Sequence, residues 1–210
     1  MNTTKALAVH AIIPLAVLES MRAQDVPAPD DLDEFHADLT TKRLGMSHTV
    51  SRQIDRYRRV VARDGRVDRA EVVALVGLAG RRRDADQLFA EAGRRAAQLA
   101  AQAVKPLVRR VWRTLPAFGR GRVGMALARR ALRDIFDVEL VRDGHQLTAR
   151  ATERAVVEAT PNGSACRFYS SAIAATLRAF TDFGGVVSHE SCRATGASVC
   201  EWSTGGPRKD

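Results

Sequence analysis

Apolar residues recur at helical spacing over most of the first 135 positions. Residues 6–18 form an apolar run interrupted only by His10 and Pro14, which predicts a buried or dimer-forming N-terminal helix. A bilayer span needs roughly 20 apolar residues, so this run is too short to be one. Lys5 in front gives it the look of a signal peptide, but it continues into Glu19-Ser20-Met21-Arg22 without a small-x-small cleavage site. A short helix is expected over 30–39, after Pro27-Ala28-Pro29. Ser47 or Thr49 caps a helix carrying Val50, Ile54, Tyr57 and Val61 on one face and ending near Asp64-Gly65. Asp68 caps the next, with Val72, Val73, Val76 and Ala79 inward. Asp84 opens a long alanine-rich helix through Leu88, Phe89, Ala92, Ala96, Leu99 and Ala103, which Pro106 interrupts. Leu107, Val111, Trp112 and Leu115 lie on a further segment. Pro116 and a glycine-rich loop then precede a helix over 123–136.

Beyond residue 136 the period changes. Residues 138–141 read as a strand, Asp143-Gly144 as a hairpin turn, and 146–158 alternates enough for one or two strands. A loop at 160–164 leads to a helix over 166–182 with Cys166, Tyr169, Ile173, Leu177 and Phe180 on one stripe, ended by Gly184-Gly185. Short strands follow at 186–189 and 198–203 around a Thr195-Gly196 turn. The fold class is therefore α+β: a helical N-terminal half packed on a small antiparallel sheet, with one prominent helix and a hairpin at the C-terminus. Three regions are expected. Residues 1–80 are a helical region with a possible dimerisation role, 81–204 a binding domain, and 205–210 a flexible tail.

Composition leaves an ordinary globular protein, 45% hydrophobic and 27% charged. The 33 basic and 24 acidic residues give a net charge of +9, which suits nucleic acid, an acidic membrane surface or an acidic partner. Most of the excess is arginine in a lysine-poor chain, a bias that base composition alone also produces. With no other targeting segment visible, the expected location is the cytoplasm. Three thiols stay reduced there, and an odd, clustered set points to metal or redox chemistry before disulfides.

Most motifs have bland readings. Gly119-Arg120-Gly121-Arg122-Val123-Gly124 matches a dinucleotide fingerprint by letter, but a helix and a proline precede it where that chemistry needs a strand. A flexible connection between helices is the expectation. Residues 47–59 and 68–78 could form a helix-turn-helix with Arg52, Arg56, Arg58 and Arg59 on phosphates, or simply a solvated face. Arg81-Arg82-Arg83 has the same explanation. His10, His36, His48 and His145 are scattered, and no nucleophile elbow, paired carboxylates or His-Glu-x-x-His occurs, so no catalytic residue is assigned. The cysteines are different. Cys192 and Cys200 lie eight positions apart across a turn, and Cys166 lies 26 earlier, at the start of a helix that packs back on the hairpin. With His189 or Glu190 they can form a structural zinc site; otherwise they are three buried thiols acting as small hydrophobes.

The segment Cys166-Arg167-Phe168-Tyr169, Gly184-Gly185, His189-Glu190-Ser191-Cys192-Arg193-Ala194-Thr195-Gly196 and Cys200-Glu201-Trp202 resembles the 4-vinyl reductase domain. This hydrocarbon-binding domain occurs in bacteriochlorophyll-biosynthesis proteins and in the sensor half of phenol-responsive activators, and is related to Bet3-like folds. The motif resemblance covers about residues 160–203. It implies structural zinc on Cys166, Cys192 and Cys200 beside an enclosed pocket. The fourth ligand is expected three positions before Cys192, where the phenol-sensor branch has glutamate and this chain has His189; Glu190 is the substitute. It also implies a small hydrophobic or aromatic ligand, with Tyr169 and Ile173 lining the pocket and Trp112, Phe136 and His145 as weaker candidates. A homodimer and no membrane span are expected. The function this implies is a sensor or carrier. An accessory protein or enzyme of tetrapyrrole biosynthesis and a DNA-binding regulator using residues 47–78 are the alternatives.

Overall fold

The computed structural model describes residues 8–25, 47–105, 116–143, 146–151 and 163–205, together with 108, 110, 112, 114, 157, 159 and 160. Strand β1 (Ala8–His10) runs into helix α1 (Ile12–Asp25), followed by α2 (His48–Val61), β2 (Arg66–Asp68), α3 (Arg69–Ala79) and α4 (Ala85–Ala103). Helix α5 (Ala117–Phe136), β3 (Val138–Asp143), β4 (Gln146–Ala151), α6 (Cys166–Phe180), β5 (Val186–Ser191) and β6 (Cys200–Gly205) complete the order. The chain is α+β, as its changing period predicts. The expected helix at 30–39 lies outside the described residues, as do Pro106 and Gly144.

Capping accounts for the helix starts. Ser47 Oγ accepts the Val50 N–H and Asp68 Oδ1 the Ala70 and Glu71 N–H groups, satisfying donors that have no partner inside the helix. Asp84 precedes α4 but makes no such bond. Its carboxylate instead holds Arg82, which reaches on to the buried Asp25 at 2.7 and 3.0 Å. Arg82 thus ties the end of α1 to the start of α4, and its nearness holds the Asp84 carboxyl below its ordinary pKa.

Helix α1 is buried around most of its circumference, with Ile12, Ile13, Leu15, Ala16, Val17, Leu18 and Met21 all covered. Of the two expectations for the N-terminal run, the buried one holds. Those side chains are enclosed by α4, α2 and α3 and are not offered to a second copy. The hydrophobic core is one cluster running from Val9 through Leu88, Phe89 and Phe136 to Trp202, so it crosses residue 80 without interruption.

Two expectations need correction. The glycine-rich stretch 119–124 is not a loop: it lies inside α5, which begins just after Pro116. A side chain at Gly124 would place Cβ 1.9 Å from the Phe180 carbonyl oxygen, so glycine is what lets α5 approach α6 this closely. Gly184-Gly185 likewise does not end α6. The helix stops at Phe180, where Thr181 turns extended and its Oγ1 donates to the Leu177 carbonyl at 2.7 Å.

Strands β1 and β2 form a two-stranded antiparallel sheet, and the other four are antiparallel in the order β3-β4-β6-β5. Asp143 pairs with Gln146, the register of a two-residue hairpin. Helix α6 packs chiefly on α4 and also on α5 and β5, so it joins the helical half to the sheet.

His10, at the end of β1, is buried. Its Nδ1 accepts the Ile12 N–H at 3.2 Å and its Nε2 faces Asp64 Oδ1 at 3.1 Å. Burial lowers its pKa, against the opposing pull of Asp64. The unfolded chain therefore takes up this proton first as the pH falls through about 6.5. The stability that neutral His10 contributes is complete above that pH and declines from there down to the folded-state pKa. Melting temperature should fall between about pH 7 and pH 5. The His10→Gln variant should flatten that slope; an unchanged slope would mean the pH dependence arises elsewhere.

Candidate metal centre

The three cysteines meet because each occupies an inward position of its element. Cys166 opens α6, whose first N–H groups are already bonded to the carbonyls of Gly163, Ser164 and Ala165. Cys200 opens β6, whose alternation turns Cys200, Trp202 and Thr204 inward. Cys192 lies between β5 and a 3₁₀ turn over Arg193–Thr195, and its carbonyl accepts from Thr195 and Ala197 N–H and from Thr195 Oγ1. Gly196, at φ +98°, closes that turn. Gly163, at φ +73°, lies against Cys192: a Cβ there would be 3.3 Å from its Sγ.

Strand β5 decides which neighbouring side chain faces the cysteines. His189 pairs with Trp202, but Ser191 pairs with Glu201, so Glu190 is an extra residue in a β-bulge. Glu190 accepts a hydrogen bond from Ser203 Oγ, on the face opposite Trp202. The His189 ring stacks on Trp202 with centroids 5.0 Å apart and planes 18° apart. Trp202 is in turn held by Nε1 donating to Ser170 Oγ at 2.9 Å, and Ser170 donates to the Cys166 carbonyl. The histidine is thereby positioned through Trp202 and Ser170 by the same helix that carries Cys166.

One ligand atom from each of Cys166, His189, Cys192 and Cys200 lies within 4.8 Å of all the others. The three thiols are buried and the histidine is exposed, so the cluster sits just under the surface and opens on the β5 side. Cys166 and Cys192 sulfurs are 3.4 Å apart. Zinc–sulfur bonds of about 2.3 Å put tetrahedral sulfurs about 3.8 Å apart, so a few tenths of an ångström of relaxation admits an ion. The electrostatics agree. Cys200 is pushed down to about 5, chiefly by the hydrogen bond from Cys166 and further by the Arg193 N–H and His189, against the effect of burial. Cys166 moves the other way, raised as donor to Cys200 and by burial. The cluster thus has one sulfur ready as an anion and a second that must lose its proton to bind a cation. The donor set, the distances and the inward geometry together fit a four-coordinate metal ion.

No protein family, curated protein or solved structure matches this chain.

The expected pocket residues fall into two groups. Phe136, Tyr169 and Ile173 are at most 1% exposed. The rings of Phe136, Phe168, Tyr169 and Trp202 follow one another at 6.1, 5.5 and 5.4 Å, an aromatic tier running from α5 to the cysteine cluster. Trp112 stands apart, tilted against Phe180 at 6.3 Å with Nε1 donating to the Arg120 carbonyl. His145 lies outside the described residues. A groove of about 430 Å³ lies elsewhere, lined by Glu19, Arg22, Ala23, Ile54, Arg58 and Arg95, and its charged lining does not suit an apolar molecule.

Two of the four arginines of the possible helix-turn-helix are engaged within the chain: Arg56 forks onto Glu71, and Arg58 bonds Glu19. Strand β2 also separates the two helices and pairs with β1. Sequence reasoning missed three parts of the centre. They are the Trp202 platform, the Arg193 N–H on Cys200 and the close approach of Gly163; Trp202 and Arg193 stand in the resembling segment and Gly163 in the loop expected at 160–164, but none of them carried a role at the site.

Proposed function

We propose that this chain is a zinc-braced small-molecule-binding protein of the 4-vinyl-reductase type, acting as a sensor or carrier of a hydrophobic or aromatic ligand. The convergence of Cys166, His189, Cys192 and Cys200 carries the reading. Its spacing is that of the resemblance, and its fourth ligand is the histidine at the expected position. In this reading zinc supplies no reaction step; it ties the start of α6 to the β5–β6 hairpin. Cys166, Cys192 and Cys200 give thiolates, His189 gives a ring nitrogen, and Trp202 fixes the plane of that ring. The ligand would meet α6 one turn further on, at Tyr169 and Ile173. Those side chains are fully buried and touch their neighbours, so binding there requires part of the aromatic tier to be displaced.

Metal analysis of the purified chain should give about one zinc per chain, as a single closed Cys₃His site requires. Zinc should persist in Glu190→Gln, whose carboxylate is on the wrong face, and be lost in Cys192→Ser. Retention in Cys192→Ser would remove the zinc part of the proposal. The ligand part is read separately: phenols, hydrocarbons and tetrapyrroles are titrated into the zinc-loaded protein. Binding at a hundred times Kd raises stability by about 2.7 kcal/mol. No shift with any class would leave a zinc protein without the proposed ligand.

A further inference from the structure

The net charge of the chain is localised. Residues 105–133 contain Lys105, Arg109, Arg110, Arg113, Arg120, Arg122, Arg129, Arg130 and Arg133 and no acidic residue; the remaining 24 basic residues balance the 24 acidic ones. Arginines occur along the whole chain, but only in this segment are the basic residues without acidic ones among them. Within the described part of the segment, α5 supports the charge on a rigid frame. Its Ala128, Ala131, Leu132, Ile135 and Phe136 side is buried in the core. Arg122, Arg129, Arg130 and Arg133 are exposed on the opposite side. At about 1.5 Å per residue they form a row about 16 Å long. Arg130 and Arg133 share one exposed acid, Asp134, at 3.3 and 3.2 Å, surface pairs that a stronger anion can replace. Among the described residues, Arg122 and Arg129 have no acidic partner.

We infer that this face of α5 is a docking surface for the phosphate backbone of duplex nucleic acid. Guanidinium groups in a fixed row match phosphate oxygens by charge and by their forked geometry. Two observations separate this partner from others that carry negative charge. An interfacial membrane helix inserts its apolar side into the bilayer, whereas here that side is taken up by α6 and β3. Single-stranded binding relies on aromatic platforms, and among the described residues the exposed large hydrophobic side chains, Leu78, Val108, Val141 and Val186, include no aromatic and none on α5. Contact of this kind is electrostatic and independent of base sequence, and it stands independently of the zinc and ligand proposals. It also differs from the helix-turn-helix expectation, whose arginines lie on α2.

The test is fluorescence anisotropy of the full chain with a labelled 20-base-pair duplex between 50 and 200 mM salt. Four phosphate contacts give a slope of log affinity on log salt of about −3.6, a loss of about 150-fold across that range. Combined Arg122→Gln, Arg129→Gln and Arg133→Gln should bring the slope to about −0.9, a loss of about 3.5-fold. The control, Arg52→Gln with Arg59→Gln on α2, should leave it unchanged. Melting curves check folding of the triple variant; if it fails to fold, each single variant should still lower the slope by about 0.9. No binding at 50 mM salt, a slope lost only in the α2 variant, or binding to anionic vesicles in place of duplex would each overturn the inference.

Discussion

Stripping the metal with a chelator, or replacing Cys200 by alanine, is expected to lower the melting temperature by about 10–20 °C. That range corresponds to about 5 kcal/mol at the 2–4 °C per kcal/mol typical of a chain this size. Structural zinc contributes about 10–16 kcal/mol where a small domain folds only around it. Here most of the continuous core is built by helices away from the site, so only part of that range should appear in global stability. Cys200 is the residue to remove because hydrogen bonds from Cys166, the Arg193 N–H and His189 hold its thiol below the ordinary cysteine pKa. Without it, Cys166 and Cys192 still lie 3.4 Å apart, but the ion they would share loses one of its four ligands and a third of its thiolate charge. The competing account, that the thiols are small core hydrophobes, predicts a different pattern. Cys200→Ala would then cost about 1 kcal/mol for the lost methylene-sized volume, and the chelator would do nothing. Differential scanning fluorimetry with and without chelator, on the native chain and the variant, separates the two. If zinc is the brace, the variant and the chelated native chain should melt together.

The parts of this structure that were legible in the sequence are those fixed by period and by local chemistry. Ser47 and Asp68 announce their helices because their side chains cap them, and the stripe Cys166, Tyr169, Ile173, Leu177 and Phe180 is buried as its spacing requires. The cysteines could be grouped because two sit on one hairpin and the third on the helix that precedes it. What could not be read depends on contacts between distant elements. Gly119, Gly121 and Gly124 resemble a loop by propensity. Packing overrides that propensity, because Gly124 must lie against the Phe180 carbonyl. The choice between His189 and Glu190 turned on a bulge, since one extra residue exchanges the faces of a strand. Tyr169, Ile173 and Phe136 carry the same apolar signal whether they line a pocket or fill a core, and here they are in contact with the core.

A single methyl group at Gly93 should damage both halves of the molecule. Helices α4 and α6 cross where Gly93 faces the turn Phe168–Ala172. A Cβ there would lie 2.2 Å from the Phe168 carbonyl oxygen and 3.0 Å from both the Ala172 nitrogen and the Ser171 Cβ. Two of those three neighbours are backbone atoms, so no rotamer change relieves the clash and the helices must separate. Overpacking of this kind costs about 1–3 kcal/mol and sometimes more. For Gly93→Ala we expect about 3 kcal/mol, a fall of about 6–12 °C in melting temperature. Gly121→Ala is the matching control: it is a glycine inside α5 with nothing within 4 Å of its Cβ position. Alanine there should be neutral or stabilise by about 0.5–1 kcal/mol, the ordinary preference of a helix for alanine. The effect of Gly93→Ala should also reach the metal centre. Phe168 is two residues from Cys166, and moving this turn off α4 carries the Cys166 sulfur away from Cys192 and Cys200. Zinc affinity, measured by competition with a chromogenic chelator, should fall in Gly93→Ala and stay at the native value in Gly121→Ala. Loss of stability with native zinc affinity would mean that α6 bends at Ala172 and leaves its first turn in place. The brace would then belong to the hairpin and the start of α6 alone, independent of the helix pair beneath it.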